Sequence, residues 1–461
     1  MTSILIATVP IHGHVTPLLA VARHFVQRGD RVRFLTGARF AAAVRATGAE
    51  HLALPAAADF DDRVDLNDRF PQRAALTGPR SLAFDIIELF TRPARAQHDA
   101  VMAAHAAEPV DALLVDPAFA GAAFVLGHPR ELRPAVVLCG VLPLSLGSRD
   151  TAPFGMGLPP LAGPFGRLRN AVLGAVAARI LAPAQRLAAG MYRDLHGRGL
   201  PGPLLDWARN ADAIAQFTVP EFEYPRSDAP PNLHFVGPIS ASGSSAPRPA
   251  WWGDLDQGRP VVHATQGTIA NKDFGQLVGP TLRALADEDV LVVVATGGRP
   301  LATLPPLPAN ARAAEYLPYD ELLPKTAVFV TNGGYGGVQY ALRYGVPIVA
   351  SGGQEDKPEV GARIAWAGVG RRLKDVSPSP AQIRAAVQAV LHDGRYRQRA
   401  AAIARSMARS GGLDALSRIV DGVVHEAPVR AVDAGEALGA RPARGSGYGF
   451  GCADTSTGCS R

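Results

Sequence analysis

The fold is decided by residues 3–36, which read SILIATVPIHGHVTPLLAVARHFVQRGDRVRFLT. The first seven of them, Ser3–Val9, are mostly apolar and β-branched, which predicts a parallel strand buried on both faces. We expect a helix next, because Thr16 can cap it and Pro17 suits its first position. Arg31–Thr36 then predicts a second strand. A strand, a helix and a strand of this length form a right-handed βαβ unit.

The same pattern recurs along the chain. Ala112–Val115 predicts another strand, followed by a helix from about Ala118. In the second half the predicted strands are Val261–Ala264, Val290–Ala295, Val328–Thr331 and Ile348–Ala350. A chain of 461 residues also exceeds the usual size of a single core. The sequence therefore predicts an α/β protein built from two Rossmann-like domains.

The domain boundary is expected at a stretch of small, polar and proline residues, which is typical of a linker. We predict an N-terminal domain over 1–239, a linker over 240–250 and a C-terminal domain over 251–427. In the tail, 428–461, glycine, alanine and arginine predominate, so we expect it to be disordered.

Composition excludes several classes of function. The 47 basic and 41 acidic residues give a net charge of +6, but the basic residues are scattered, unlike those of a nucleic-acid-binding surface. The N-terminus lacks a signal peptide's basic flank, and no stretch approaches the ~20 apolar residues of a membrane span. Three scattered cysteines predict neither a disulfide framework nor a zinc site. We therefore expect a cytoplasmic protein with no nucleic-acid partner and no stable membrane insertion, as a monomer or homodimer.

Residues 163–191 predict a long amphipathic helix. Leu168, Val172, Val176, Ile180 and Leu187 recur at helical spacing. We expect most of this apolar face to pack in the core. The alternative is that it forms a mobile wall of an apolar pocket.

The strongest functional signal is TNGGYGGVQYAL over residues 331–342, which follows a predicted strand and opens a helix. Its four glycines, Gly333, Gly334, Gly336 and Gly337, allow backbone amides to approach a diphosphate. The N-terminus of the helix adds partial positive charge. Gly345-Val346-Pro347 and Glu355-Asp356-Lys357 follow it in the chain.

With these motifs in this order, the chain resembles the nucleotide-sugar-dependent family 1 glycosyltransferases of the bacterial natural-product type. The resemblance spans both domains and implies the GT-B fold, in which two Rossmann-like domains face each other across a cleft. It implies that the C-terminal domain binds a nucleotide-sugar donor, a UDP- or dTDP-sugar. The implied donor residues are Gly267, Thr268, Tyr316, Leu317, Asn332, Gly333, Gly334, Gly336, Gly337, Gln339, Asp356 and Lys357.

Five positions depart from the family's pattern. Tyr316 and Tyr319 replace the tryptophan and glutamine of the turn under the base, and Tyr316 can still stack on a pyrimidine. Asn332 stands where the family has a phosphate-binding histidine. Tyr340 replaces the ribose-binding glutamate, and the neighbouring Gln339 is expected to serve in part. Lys357 replaces the glutamine of the sugar-binding aspartate–glutamine pair, after Asp356.

The second signal is PIHGHVTP over residues 10–17, at the carboxyl end of the first strand, where open α/β sheets bind ligands. The resemblance makes His14 the general base and Asp116 its orienting carboxylate, with His12 as the fallback base. A histidine of near-neutral pKa can take the proton from an acceptor hydroxyl as the sugar bond forms. A carboxylate would fix the imidazole tautomer and stabilise the imidazolium.

The expected reaction is a single inverting displacement with no metal and no cofactor besides the nucleotide-sugar co-substrate, because the glycine turn can stabilise the departing diphosphate. Asp254 and Asp256 resemble a metal-binding pair, but they lie beside the linker and are predicted to be a solvated loop. The expected acceptor is a lipophilic small molecule such as a polyketide, a macrolide or a phenolic.

Two other functions remain open from the sequence. An oxidoreductase would need a Gly-x-Gly-x-x-Gly turn after the first strand, and His12-Gly13-His14 is not such a turn. A non-catalytic nucleotide-sugar-binding protein would fit the departures at Asn332, Tyr340 and Lys357.

Overall fold

The structure of the chain is a computed structural model that describes residues 1–239, 246–353 and 355–425. Residues 240–245 of the predicted linker lie outside the described residues. The predicted tail, 428–461, also lies outside them. The expectations for these segments therefore stay predictions.

Over residues 1–239 the chain forms a seven-stranded parallel sheet in the order β3-β2-β1-β4-β5-β6-β7. Its strands are β1 Ser3–Ala7, β2 Arg31–Thr36, β3 Glu50–Ala53, β4 Ala112–Val115, β5 Ala135–Gly140, β6 Ala213–Gln216 and β7 Leu233–Phe235. The central strands are buried on both faces, as their apolar composition predicts. The strand order reverses between β1 and β4, and a ligand crevice lies at the carboxyl ends of the strands at such a point.

Over residues 246–353 and 355–425 the chain forms a six-stranded parallel sheet in the order β10-β9-β8-β11-β12-β13. Its strands are β8 Val261–Thr265, β9 Leu291–Ala295, β10 Ala311–Ala314, β11 Thr326–Thr331, β12 Ile348–Ser351 and β13 Gly370–Leu373. This order reverses between β8 and β11. The predicted fold class, two Rossmann-like α/β domains, is confirmed.

Helices cover both sheets, as in doubly wound proteins. Those on the N-terminal part of the chain are α1 His12–Arg28, α2 Ala41–Arg45, α3 Leu66–Arg69, α4 Pro79–Asp85, α5 Ala94–Ala107, α6 Gly121–Val125 and α7 Gly163–His196. Those that follow are α8 Val278–Leu285, α9 Tyr319–Leu322, α10 Tyr335–Arg343, α11 Lys357–Trp366, α12 Pro380–His392, α13 Gly394–Arg409 and α14 Gly412–His425.

Helix α1 begins at His12, a full turn before the predicted start at Pro17. The main-chain N–H groups of His14 and Val15 both donate to the carbonyl of Ile11, and this closes the first turn. Pro17 therefore lies inside the helix rather than at its first position. The consequence is that His14 belongs to the first turn of a helix and not to a loop.

The last described helix, α14, returns to the first sheet. Its Leu416 and Val420 are fully buried in the same cluster as Ile4 and Ile6 of β1. The sequence placed this segment in the C-terminal domain, because an amphipathic helix does not show which sheet it will cover. The two sheets are thus held together by the chain crossing between them a second time.

Helix α7 exposes much of its apolar face. Leu168 is 62% exposed, Val172 55% and Val176 48%, so the expectation that this face packs in the core is wrong for these positions. The helix packs instead through a face of smaller side chains that includes Ala184 and Ala188. Of the helices in the described ranges, only α7 is long and apolar enough to cross a membrane by length and composition alone.

Candidate active site

His14 and Asp116 meet at the switch point of the first sheet. Strand β4 pairs in parallel with β1, so the residues that follow the two strands lie at the same edge. Nδ1 of His14 lies 2.8 Å from Oδ1 of Asp116. The two side chains that the sequence predicted as base and carboxylate are therefore in direct contact.

The Asp116 carboxylate is held from three sides. It is fully buried, and its Oδ2 accepts a hydrogen bond from the main-chain N–H of Val9 at 2.8 Å. Its Oδ1 also accepts from the N–H of Ala118 at 2.7 Å. A carboxylate fixed in this way accepts a hydrogen bond from Nδ1–H of His14 and leaves the lone pair of the imidazole on Nε2. The dyad therefore presents a base whose tautomer is set by Asp116.

The electrostatic surroundings strengthen this base. Burial lowers the pKa of His14, but the charge and hydrogen bond of Asp116 outweigh it, and the net pKa is raised above its ordinary value. Asp356 and Glu355 raise the pKa further. Those two carboxylates belong to the loop before α11 in the C-terminal half. The pKa of His14 therefore depends in part on the negative charge of the predicted sugar-binding loop, which belongs to the second domain.

His12 lies in a different environment. Its main-chain N–H donates to Oδ2 of Asp62 at 2.7 Å. Burial and the positive charge of Arg39 lower the pKa of His12. Because the two histidines are shifted in opposite directions, His14 is the better proton acceptor of the two.

The predicted phosphate-binding turns lie at the switch point of the second sheet. Gly267 and Thr268 follow β8, and the glycine turn follows β11, which pairs with β8 in parallel. The side-chain amide of Asn332 donates to the carbonyl of Gln266 at 2.7 Å and joins the two turns. Gly333 has φ 87°, a conformation that favours glycine.

Helix α10 begins at Tyr335, directly after this turn, with Gly334 as its N-cap residue. The first turn of a helix leaves backbone N–H groups without acceptors inside the helix. A Cβ atom placed on Gly336 would meet nothing within 4 Å, so the turn is open on that side. Exposed amides and a helix N-terminus together suit a diphosphate.

Asp356 and Lys357 lie at the start of α11. The Asp356 carboxylate makes no capping hydrogen bond to the helix. Burial raises its pKa to about 6 from an ordinary 3.8, an effect that Lys357 opposes and Glu355 reinforces. Lys357 forms an ion pair with Glu355, which has a strained positive φ of 57°. The Asp356 carboxylate is therefore available to accept hydrogen bonds from a group outside its own helix.

Not every predicted donor residue faces the cleft. The Leu317 side chain is buried among Leu255, Val261 and Leu291, so it is a core residue. Its side chain turns inward, next to the exposed Tyr316 and the buried Pro318. Tyr316 is 53% exposed.

Two further predicted positions are engaged elsewhere. Oε1 of Gln339 accepts a hydrogen bond from the hydroxyl of Thr218, 3.0 Å away. Thr218 belongs to the N-terminal half, so Gln339 joins the two halves behind the glycine turn. The hydroxyl of Tyr340 donates to Oδ1 of Asp320 at 2.5 Å. These contacts leave the predicted ribose role of Gln339 without structural support.

A buried network between the two halves was missed in the sequence. Oε1 of Glu359 accepts from the N–H groups of Gly155 and Gly157 at 2.9 and 2.7 Å. Arg363, fully buried, forms ion pairs with Glu359 and Glu223, both at 2.8 Å. The loop that follows β5 is thereby fixed against α11, next to Asp356. The sequence of α11 does not indicate that Glu359 and Arg363 join the two halves, because a Glu and an Arg four residues apart resemble an ordinary surface pair on a helix.

Comparisons with known proteins agree with this arrangement. Residues 280–412 match the family model described as the C-terminal domain of erythromycin biosynthesis protein CIII-like proteins. The chain is 43% identical to 4'-demethylrebeccamycin synthase of Lentzea aerocolonigenes, over 91% of this chain and 99% of that protein. It is 36% identical to UDP-glycosyltransferase 2 of Phaeomoniella chlamydospora, over 91% and 94%. The crystal structure of the calicheamicin glycosyltransferase CalG4 superposes with a TM-score of 0.66 at 21% identity, covering 92% of this chain and 99% of that one.

Two parallel sheets whose switch points carry a histidine–aspartate dyad and a glycine-rich turn define a sugar-transferring enzyme of the GT-B fold. The chain belongs to the nucleotide-sugar-dependent family 1 glycosyltransferases of the natural-product type. It is a glycosyltransferase, and the oxidoreductase and the non-catalytic binding protein are set aside.

Proposed function

We propose that this chain transfers a sugar, with inversion, from a UDP- or dTDP-sugar to a nucleophilic group of a lipophilic small molecule such as a polyketide, a macrolide or a phenolic. The observation that carries the proposal is the His14–Asp116 dyad, in which Asp116, and to a smaller extent the carboxylates of the loop that precedes α11, raise the pKa of His14 against the effect of burial. A base on one domain and a sugar-binding loop on the other are what a transfer across the cleft requires.

The proposed reaction is a single displacement. Nε2 of His14 removes the proton of an acceptor hydroxyl as its oxygen bonds to the anomeric carbon of the sugar. The bond between that carbon and the diphosphate oxygen breaks, and the nucleoside diphosphate leaves with the electron pair. Asp116 stabilises the imidazolium that forms. Attack from the face opposite the leaving group inverts the anomeric configuration.

The donor half is proposed to work without a metal ion and without a cofactor. The backbone amides of Gly333–Gly337 and the N-terminus of α10 supply positive potential where the diphosphate gains charge. Gly267 and Thr268 are proposed to contact the same phosphates, and the ring of Tyr316 to stack on the base. Asp356 is proposed to accept hydrogen bonds from the sugar hydroxyls, with Lys357 beside it.

The acceptor is proposed to enter along an apolar surface of the N-terminal half. Phe154, Leu158 and Leu161 are exposed on the loop that Glu359 fixes against α11. The exposed face of α7 continues this surface. Natural-product acceptors of the rebeccamycin or calicheamicin type, which the names of the relatives indicate, are lipophilic enough to match it.

We further propose that the enzyme is a cytoplasmic monomer or homodimer. Although α7 passes the length and composition test for a membrane span, Ala188 and Tyr192 on its packed face are buried in the core of the N-terminal half. A helix packed in this way is a surface helix of a folded domain.

The proposal is tested by incubating the purified chain with UDP-glucose or dTDP-glucose and a set of lipophilic acceptors that carry an aliphatic hydroxyl. Mass spectrometry should detect the glycoside together with stoichiometric nucleoside diphosphate, and an α-configured donor should give a β-linked product. A product that retains the α configuration would contradict the single displacement.

The same assay tests metal independence. Initial rates should be unchanged in excess chelator. The matched variant is Asp254→Asn, because Asp254 and Asp256 are the pair that resembles a metal site and each has a basic partner, Arg312 and Lys325. A rate that falls to the background in chelator and returns with magnesium, or that is lost in Asp254→Asn, would show that a metal takes part.

A further inference from the structure

Three histidines from three separate elements converge on the N-terminal half, away from the dyad. His98 lies on α5, His128 follows α6, and His196 is the last residue of α7. Their ligand nitrogens all lie within 4.8 Å of one another. Nε2 of His98 is 2.9 Å from Nε2 of His128. Proximity of three imidazoles is unusual in a core that the sugar transfer does not use.

The outer nitrogens of two of these rings are already engaged. Nδ1 of His98 lies 2.8 Å from a carboxylate oxygen of Asp99. Nε2 of His196 lies 2.9 Å from the main-chain carbonyl of Phe124, to which it donates. A histidine that binds a metal through one nitrogen almost always donates its other N–H to a carboxylate or a carbonyl. The lone pair of His98 is therefore on Nε2, the nitrogen that lies 2.9 Å from His128, and the lone pair of His196 is on Nδ1.

Burial of the three rings favours their neutral form. Burial lowers the pKa of His98 and of His196, and it lowers that of His128 to about 4. Of the arginines near the cluster, Arg95 pairs with Asp99 and Arg133 pairs with Asp212, while Arg198 donates to the main-chain carbonyl of Gly127. Neutral imidazole is the form that binds divalent metals.

We propose that His98, His128 and His196 form a binding site for one divalent transition-metal ion of the class that prefers imidazole, such as Zn²⁺. Two nitrogens bound to one tetrahedral zinc at about 2.1 Å lie about 3.4 Å apart, so side-chain rotation has to bring the widest pair closer by more than about 1 Å and to open the His98–His128 pair slightly. The ion would tie the end of α7 to α5 and to the segment after α6. Its role is structural, because no residue of the cluster touches the dyad or the glycine turn.

The competing explanation is packing alone. The rings of His98 and His128 are stacked with centroids 5.2 Å apart, and Tyr192 lies against His196 at 4.4 Å. Three neutral rings that share hydrogen bonds would need no ion. The two explanations differ in whether the cluster binds a metal in solution.

The test uses the full chain, stripped of metal with a chelator and dialysed, and titrated with Co²⁺ as a visible-absorption probe in competition with Zn²⁺. We expect one equivalent to bind per chain, and His128→Gln to weaken binding at least tenfold. The control is His392→Gln, because His392 is exposed at the end of α12 and should leave the affinity unchanged. Saturating Zn²⁺ should raise the Tm of the stripped chain by about 2 to 4 °C but not that of His128→Gln.

A second variant keeps the proposal falsifiable if His128→Gln fails to fold. Asp99→Asn retains all three imidazoles and removes the carboxylate that lies behind His98 and pairs with Arg95, so it should weaken Zn²⁺ binding about 10-fold or more. Equal affinity of the wild-type chain and the folded variants, or no bound cobalt in the wild-type chain, would overturn the site. A cobalt spectrum that survives in His128→Gln would place the metal elsewhere, for example on His12 or His14.

Discussion

Replacing Asp356 with asparagine should make the ligand-free enzyme more stable while it impairs sugar transfer. The Asp356 pKa is raised by burial to about 6, whereas the unfolded chain has the ordinary 3.8. The folded state therefore binds the proton more tightly than the unfolded state does. The stability gained from protonation is fully present below pH 3.8 and is lost as the pH rises through about 6.

The magnitude follows from the size of this pKa shift. A difference of about two units corresponds to about 3 kcal/mol, since each unit is worth about 1.36 kcal/mol. Above pH 6 the ionised carboxylate lowers the free energy of unfolding by up to that amount. Asp356→Asn keeps the shape and removes the charge, so it should stabilise the protein by about 1 to 3 kcal/mol at pH 7.5. Donor KM should rise at least tenfold, because the amide is a weaker acceptor for sugar hydroxyls.

Urea unfolding at pH 7.5 and pH 4.5 measures this effect. The gain of Asp356→Asn over the wild-type chain should be largest at pH 7.5 and should shrink at pH 4.5. The control Asp287→Asn changes an exposed carboxylate on the same half of the chain and should shift stability by less than about 0.5 kcal/mol at both pH values. An Asp356→Asn variant that is less stable at pH 7.5, or equally stabilised at both pH values, would refute the reasoning.

Three further predictions concern other parts of the chain. Arg363→Leu removes the cation between two buried carboxylates and should lower the free energy of unfolding by about 3 kcal/mol in a urea titration; a loss below about 1 kcal/mol would contradict a stabilising network. Leu168→Ser with Val172→Ser should raise the acceptor KM several-fold with a Tm within about 1 °C, and an unchanged KM would remove the α7 face from the acceptor surface. Deletion of 429–461 should leave Tm and rate nearly unchanged, and a large drop in Tm would show that the tail docks.

Much of the fold follows from local sequence. The strands Arg31–Thr36 and Ala112–Val115 have the bounds that the apolar runs predict, because a central parallel strand is apolar on both faces. The closeness of His14 and Asp116 also follows from the sequence, since the residues after adjacent parallel strands share one edge of a sheet.

The rest depends on long-range packing that a local pattern cannot carry. Nothing near Leu416 shows that α14 crosses back to the first sheet. Leu317 is buried, whereas the neighbouring Tyr316 in the same loop is exposed. The local sequence does not show which of these two side chains points toward the core. His128 and His196 are 30 and 98 residues away from His98 in the sequence. The cluster of the three histidines is therefore visible only once α5, α6 and α7 are packed together.

The central claim, that His14 and Asp116 act as one base, is tested most directly by kcat/KM for an aliphatic-alcohol acceptor in His14→Ala, Asp116→Asn and the double variant. His14→Ala should lose about 10²- to 10⁴-fold with donor affinity within a few-fold, while His12→Ala should lose far less. Asp116→Asn should also be severely impaired, and the double variant should be little worse than His14→Ala, because residues that act as a unit are not additive. Full multiplication of the two single losses, or an active His14→Ala, would contradict the account.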